Sequence, residues 1–194
     1  LIEQLQELDR WLLISANSAH TPGLDRFMIF FTDRLVWFPA YLVIIIALSY
    51  YFGRRAVLLL PLMGACVGLA DFISSRFFKP YFARLRPCHD PELSETLNLV
   101  NGCGGQFGFI SSHAANAFSL AVFLCLVLPQ RFWPVKILVL VWAAIVSYSR
   151  IYLGVHYPSD VLAGTTLGAL LAWGCSWLYK ESVKRWMPAQ QVAA

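Results

Sequence analysis

Apolar and polar residues alternate along this chain in blocks the length of whole helices. From Leu35 to Phe52 about 18 residues pass without a charge, the length that crosses a bilayer. Gly53-Arg54-Arg55 ends that run, and a second runs from Ala56 to about Phe78 with a single acid, Asp71, and Gly64 and Gly68 at a four-residue spacing that suits close helix approach. A polar stretch from Lys79 to about Phe109 follows. Three more spans are expected at Ser111–Leu128, Ile137–Tyr152 and Ser159–Tyr179, the last with Gly164, Gly168 and Ala172 along one face. Pro129-Gln130-Arg131 and Pro134-Val135-Lys136 read as the turn between the third and fourth. Ahead of the spans, Leu1, Leu5, Leu8, Trp11 and Leu12 form a helical stripe against Glu3, Gln4, Glu7 and Arg10, the pattern of a helix lying on a membrane surface. Thr21-Pro22-Gly23 breaks it, and Leu24–Thr32 makes a second short helix. The expected fold is therefore all-α and membrane-integral: interfacial helices over residues 1–33, a core of about five spans over 35–179, a site loop over 79–110 and a polar tail over 180–194, in one domain.

Composition supports the membrane class. The chain of 194 residues is 58% hydrophobic and 13% charged, with mean hydropathy +0.60, against about a quarter charged in soluble domains. Its net charge of +4 comes without any basic run, which argues against nucleic-acid binding. The N-terminus lacks the basic region and small-residue cleavage site of a signal peptide. The numbering opens on Leu1, inside the gene product or after processing.

Arg54, Arg55, Arg131, Lys136, Lys180, Lys184 and Arg185 fall on one side of a five-span topology, which the positive-inside rule makes cytoplasmic. The 79–110 loop and the Ser149–Asp160 stretch then face outward. Of the five cysteines, Cys66, Cys125 and Cys175 lie in apolar runs and read as buried hydrophobes. Cys88 and Cys103 share the outer loop, where they pair as a disulfide or stay free thiols.

Three polar clusters gather on the outer side. Lys79 to Pro87 carries Lys79, Arg84 and Arg86, cations suited to a phosphate. Ser111, Ser112 and His113 open a helix, where free N–H groups and the dipole favour an anion. Ser149 to Asp160 adds Arg150, His156 and Asp160, the acid four residues after the imidazole and able to accept its Nδ1–H. Singly, each has an ordinary reading: snorkelling cations, a serine N-cap, a surface hydrogen bond. Together they supply a nucleophile, a proton donor and a cationic cradle, the needs of phosphoryl transfer, and the sequence carries no metal-ligand set. Asp71 either orients Lys79 or Arg150, or is an interfacial acid paired with Arg76 or facing water. Arg84 touches either substrate or lipid headgroups.

These residues resemble the signature of the type 2 phosphatidic acid phosphatase superfamily of membrane lipid phosphatases. Lys79 to Pro87 matches Lys-x6-Arg-Pro and Ser149 to Asp160 matches Ser-Arg-x5-His-x3-Asp. The middle element, Pro-Ser-Gly-His in the family, stands here as Ile110-Ser111-Ser112-His113. The resemblance implies a metal-independent, cofactor-free hydrolase in which His156 attacks phosphorus, Asp160 orients it and His113 serves the leaving group. Lys79, Arg86, Ser111, Ser112 and Arg150 would hold the phosphate. It implies a lipid phosphate as partner within the bilayer, and a multi-pass protein of a bacterial inner membrane with its site toward the periplasm. Undecaprenyl pyrophosphate is the favoured substrate. Lipid A 1-phosphate, phosphatidylglycerophosphate and phosphatidic acid are alternatives, as is a non-enzymatic lipid-phosphate binder or transporter. Vanadate haloperoxidases share the signature but are soluble. Oligomeric state is left open.

Overall fold

The computed structural model describes residues 2–187. Eight α-helices follow one another: α1 (Ile2–Ser18), α2 (Pro22–Thr32), α3 (Phe38–Phe52), α4 (Ala56–Phe72), α5 (Lys79–Phe82), α6 (Ser112–Val127), α7 (Trp133–Tyr152) and α8 (Pro158–Trp186). The described residues contain no strand, only an isolated antiparallel bridge between Leu85 and Phe107. Three continuous helical stretches are long and apolar enough to cross a membrane: Leu35–Phe82, Gln130–Tyr152 and Pro158–Trp186. Helix α6 is shorter but apolar. Large apolar side chains point outward along them, among them Val43, Ile46, Leu138, Leu162 and Trp173, as lipid-facing positions should.

The local chemistry explains most boundaries. Thr21 caps α2 by accepting from the Leu24 N–H at 3.3 Å, with Pro22 in the first turn. Gly53 takes φ +53°, a conformation open to glycine, and turns α3 into α4. Helix α4 runs on through a π-helical turn, Ile73–Phe78, into α5. Such turns change which face a helix presents; here Lys79 comes out facing α6.

Helices α6 and α8 form the central pair. Gly164 and Gly168 make this possible: a Cβ on either would strike the backbone carbonyl of Ser111 or Ala115. Helices α4 and α7 flank the pair, and α3 leans on α4 with Leu48 as its buried residue. A core of Leu48, Leu59, Met63, Cys66, Phe123, Leu124, Ala172 and Tyr179 fills one end of the bundle. At the other end, Met28, Cys88, Tyr152, Leu153 and Val155 pack beneath the long loop, beside Leu13, Leu93, Leu97 and Tyr157.

Several expectations change. Gly64 and Gly68 are exposed and would meet nothing within 4 Å if given a Cβ; they are not a helix-contact face, and Gly64 instead lines a cavity. Pro134-Val135-Lys136 is not a turn but the first turn of α7, where proline costs no hydrogen bond. Helix α8 continues to Trp186, so the first part of the expected 180–194 tail is helical, while 188–194 of that tail, like Leu1, lies outside the described residues. Helix α1 keeps Glu3, Gln4 and Glu7 exposed, but it also has a third side that the apolar stripe did not show. Asp9, Leu13 and Asn17, spaced four apart, are buried against the protein, while Leu5, Leu8 and Trp11 are exposed. Asn17 fixes this face, its amide donating to the carbonyls of Tyr152 (2.7 Å) and Asn98 (3.1 Å) while its oxygen accepts from Asn98 N–H (2.8 Å).

Candidate active site

The chain enters the site at the end of α5, where Ala83 adopts a left-handed conformation and redirects the backbone. Arg86 is buried, its Nε donating to the Phe107 carbonyl (3.2 Å) and its Nη1 to that of Cys103 (3.0 Å). Burial pushes the Arg86 guanidinium below its ordinary pKa, with Asp160 opposing. Cys88 and Cys103 form a disulfide, which ties the residue whose carbonyl holds Arg86 to the strip that carries Arg86. A cross-link of this loop length contributes roughly 3 kcal/mol. Replacing both cysteines by serine is expected to lower the melting temperature in detergent and to raise KM for a phosphorylated lipid severalfold. An unchanged KM would show that Arg86 holds its place without the bond. Cys88, Cys103 and His89 are also close enough to resemble a metal-ligand group, but the two sulfurs are bonded to each other.

Ser111 and Ser112 divide their duties. Ser111 is fully buried and its hydroxyl accepts from the Ala114 N–H at 3.5 Å, capping α6. Its own N–H donates to the Asp160 carbonyl at 3.0 Å, which locks α6 to α8. The Ser112 hydroxyl instead meets Lys79 Nζ at 2.9 Å and Ser75 Oγ at 3.0 Å. Ser112, Ser75, Lys79, Arg86, His113 and His156 all line one cavity of about 500 Å³. Ser111 and Arg150 do not line it. Arg150 Nη1 donates to Thr32 Oγ1 at 2.5 Å, and its buried Nε has no partner.

His156 is buried at the turn between α7 and α8. Its Nδ1 lies 3.4 Å from Asp160 Oδ2 but makes no hydrogen bond, so the carboxylate is in place beside the ring without the aligned contact the spacing suggested. Oδ2 accepts from the Tyr157 N–H at 3.1 Å instead. Burial, with Arg86, Arg150 and Lys79 nearby, holds the imidazole pKa well below its ordinary value. A neutral imidazole keeps a lone pair for attack at neutral pH.

Asp71 does not pair with Lys79, Arg150 or Arg76; its Oδ1 accepts from Asn116 Nδ2 at 3.0 Å inside the cavity. Arg84 is not among the cavity-lining residues. Its Nη1 donates to Asp160 Oδ1 (2.8 Å) and Ser159 Oγ (2.7 Å), its Nη2 to Asp9 Oδ2 (2.7 Å), and its plane covers the Tyr157 ring at 4.1 Å. Arg34, Thr32, Ser75 and Asn116 also line the cavity and were not found from sequence. Arg34 and Thr32 end α2 or follow it, far from the motifs in the chain. Ser75 and Asn116 carried a signal: they stand one helical turn from Lys79 and Ser112.

The cavity is amphiphilic. Its polar end holds Lys79, Arg86, Ser112 and the two histidines, and its other end holds Ile44, Ile45, Met63, Val67, Leu120 and Val146 from α3, α4, α6 and α7. A purely apolar groove of about 280 Å³ adjoins it between α3 and α7, sharing Tyr41, Ile44 and Trp142. A phosphate at the polar end could keep an attached chain in apolar surroundings. Residues 56–184 match the PAP2 superfamily. The chain is 38% identical over 177 residues to a lipid A 4′-phosphatase of Bacteroides thetaiotaomicron, covering 89% of this chain and 77% of the relative. It is 31% identical over 161 residues to an undecaprenyl-diphosphatase of Sulfolobus acidocaldarius, covering 82% and 72%. In three dimensions it resembles the crystal structure of a transmembrane PAP2-type phosphatidylglycerolphosphate phosphatase from Bacillus subtilis, with TM-score 0.69, 27% identity and coverage of 94% and 89%. The amphiphilic cavity, the helical membrane fold and these likenesses agree: the chain belongs to the PAP2 superfamily and is a membrane lipid phosphatase.

Proposed function

We propose that the enzyme removes the 4′-phosphate of lipid A, with His156 as nucleophile. The observation that carries this reading is the continuity of the polar and apolar ends of one cavity, which suits a headgroup phosphate whose acyl chains remain in the bilayer. The identity to a lipid A 4′-phosphatase supports the choice among lipids. His156 Nε2 attacks phosphorus while the bond to the leaving oxygen breaks. His113 gives that oxygen its proton. Asp160 steadies the charge on the ring. Lys79, Arg86 and Ser112 hold the phosphoryl oxygens, and Arg150 contributes charge from behind. Water then attacks the phosphohistidine, giving a proton to His113. The P–N bond breaks, and phosphate leaves. The basic ends of α4, α7 and α8 lie at the far end of the bundle, which supports a site facing away from the cytoplasm. The 1–33, 35–179 and 79–110 divisions serve this as docking helices, span core and site loop.

Undecaprenyl pyrophosphate is the second reading. Arg34 on the cavity wall favours it: it is a further cation with no salt bridge among the described residues, suited to a second phosphate. Phosphate release from purified, EDTA-treated enzyme, compared across lipid A, undecaprenyl pyrophosphate, phosphatidylglycerophosphate and phosphatidic acid, decides between them. Lipid A is expected to give the highest kcat/KM, by about tenfold or more. A higher value for undecaprenyl pyrophosphate would reverse the order of the two readings.

A further inference from the structure

The N-terminal helix α1 carries none of the signature residues, yet one of its side chains is built into the turn that holds His156. Asp9 is buried. Its Oδ1 accepts from the Ser159 N–H at 2.8 Å, and its Oδ2 accepts from Ser159 Oγ and from Arg84 Nη2. Ser159 lies in the first turn of α8, whose N–H groups have no partner within the helix. Asp9 therefore caps α8 from outside, one residue before Asp160. Arg84 completes the cluster, with one nitrogen on Asp9 and the other on Asp160 Oδ1.

We infer that Asp9 is a positioning residue for the phosphatase reaction, acting through Arg84 and Ser159 on Asp160 and thereby on His156. The argument is electrostatic as well as geometric. Arg84 is the one side-chain cation in hydrogen-bonding contact with the Asp160 carboxylate among the described residues. Alone it would offset the negative charge that Asp160 presents to the ring. With Asp9 on its other face, one guanidinium is shared between two carboxylates, and the cluster keeps a net negative charge. As His156 becomes phosphorylated, positive charge develops on its ring, and Asp160 Oδ2 at 3.4 Å from Nδ1 is the group placed to stabilise it. Asp9 preserves that capacity and fixes the backbone on which Asp160 stands.

The inference rests on His156 being the nucleophile, a role that His156→Ala tests separately. Asp9→Asn keeps the shape and removes the charge. With the preferred lipid of the substrate panel, it is expected to lower kcat about tenfold while KM stays within about twofold, since the cavity itself is untouched. Single-turnover measurement should assign the loss to phosphoenzyme formation. Arg10→Gln is the control: Arg10 ties the same helix to Asp90 and Glu92 through a half-exposed contact and touches none of the cluster. It is expected to leave kcat unchanged. An Asp9→Asn enzyme with normal kcat overturns the inference, and so does an equal loss in both variants, which would make α1 docking alone responsible. Should Asp9→Asn fail to fold, Ser159→Ala removes one hydroxyl from the cluster, and a kcat no lower than wild type overturns the inference in its place.

Discussion

Replacing His156 by alanine is expected to lower lipid-phosphate turnover by about 10⁴-fold or more while the protein remains folded. The size follows from the role. Lys79, Arg86 and Ser112 can still bind the phosphate, but water must then displace the lipid directly, with no group poised behind phosphorus. Binding should therefore persist when chemistry does not, and the variant should still be competed for by vanadate or a nonhydrolysable lipid phosphonate in a binding assay. His156 is buried where it lines the cavity, so alanine also enlarges that space, at about 1–3 kcal/mol. Gel filtration and the melting temperature in detergent must accompany the kinetics. Wild-type enzyme quenched in base during turnover should carry an acid-labile phosphoryl label that the variant lacks. Phosphate release near the wild-type rate by a folded His156→Ala enzyme would remove His156 from the mechanism.

The motif positions were legible because the signature fixes spacing within short segments. His156 and Asp160 share a turn, Ser112 and His113 share a helix start, and Lys79 and Arg86 bracket one bend. What the sequence did not disclose is how those segments are held. Arg84 lies between two motif cations, and its side-chain direction depends on Asp9, which is 75 residues away along the chain. Asp9 in turn needed the docking of α1 to be known. A signal was present in Asp9, Leu13 and Asn17, one face at a spacing of four, but the larger apolar stripe of Leu5, Leu8 and Trp11 outweighed it. The two stripes lie on different sides of one helix, the first buried and the second exposed.

The glycines show a second limit. Gly64 and Gly68 on α4, and Gly164 and Gly168 on α8, have the same spacing, but only the α8 pair packs against a backbone. In a helix apolar on every side, periodicity does not say which face meets protein and which meets lipid or a cavity. Helix α4 turns Gly64 to the cavity, where the missing side chain leaves room below Asp71 and Lys79. Similarly, Ser111 and Ser112 look interchangeable as phosphate donors. Their helix geometry gives the first to the cap and the second to Lys79.

Replacing His113 by glutamine should cost the two candidate lipids unequally, because the loss depends on the leaving group. A sugar or lipid alcohol is a very weak acid, so its oxygen departs badly without a proton. For such a monoester the loss in kcat is expected to be about 10²–10⁴-fold, the range for a lost general acid. From a diphosphate the leaving group is itself a phosphate, with a second pKa of about 6, and it needs little help. There the first step should slow by only about tenfold. Hydrolysis of the phosphohistidine, which is common to both, still lacks its base, so the phosphorylated enzyme should accumulate with the diphosphate and not with the monoester. The assignment also fits position: His113, at the start of α6, lines the same cavity as His156, at the turn between α7 and α8. Glutamine retains a hydrogen-bonding side chain at the helix start, and the fold should survive it. Equal losses with both lipids and no trapped phosphoenzyme would mean that His113 helps hold the phosphate and transfers no proton.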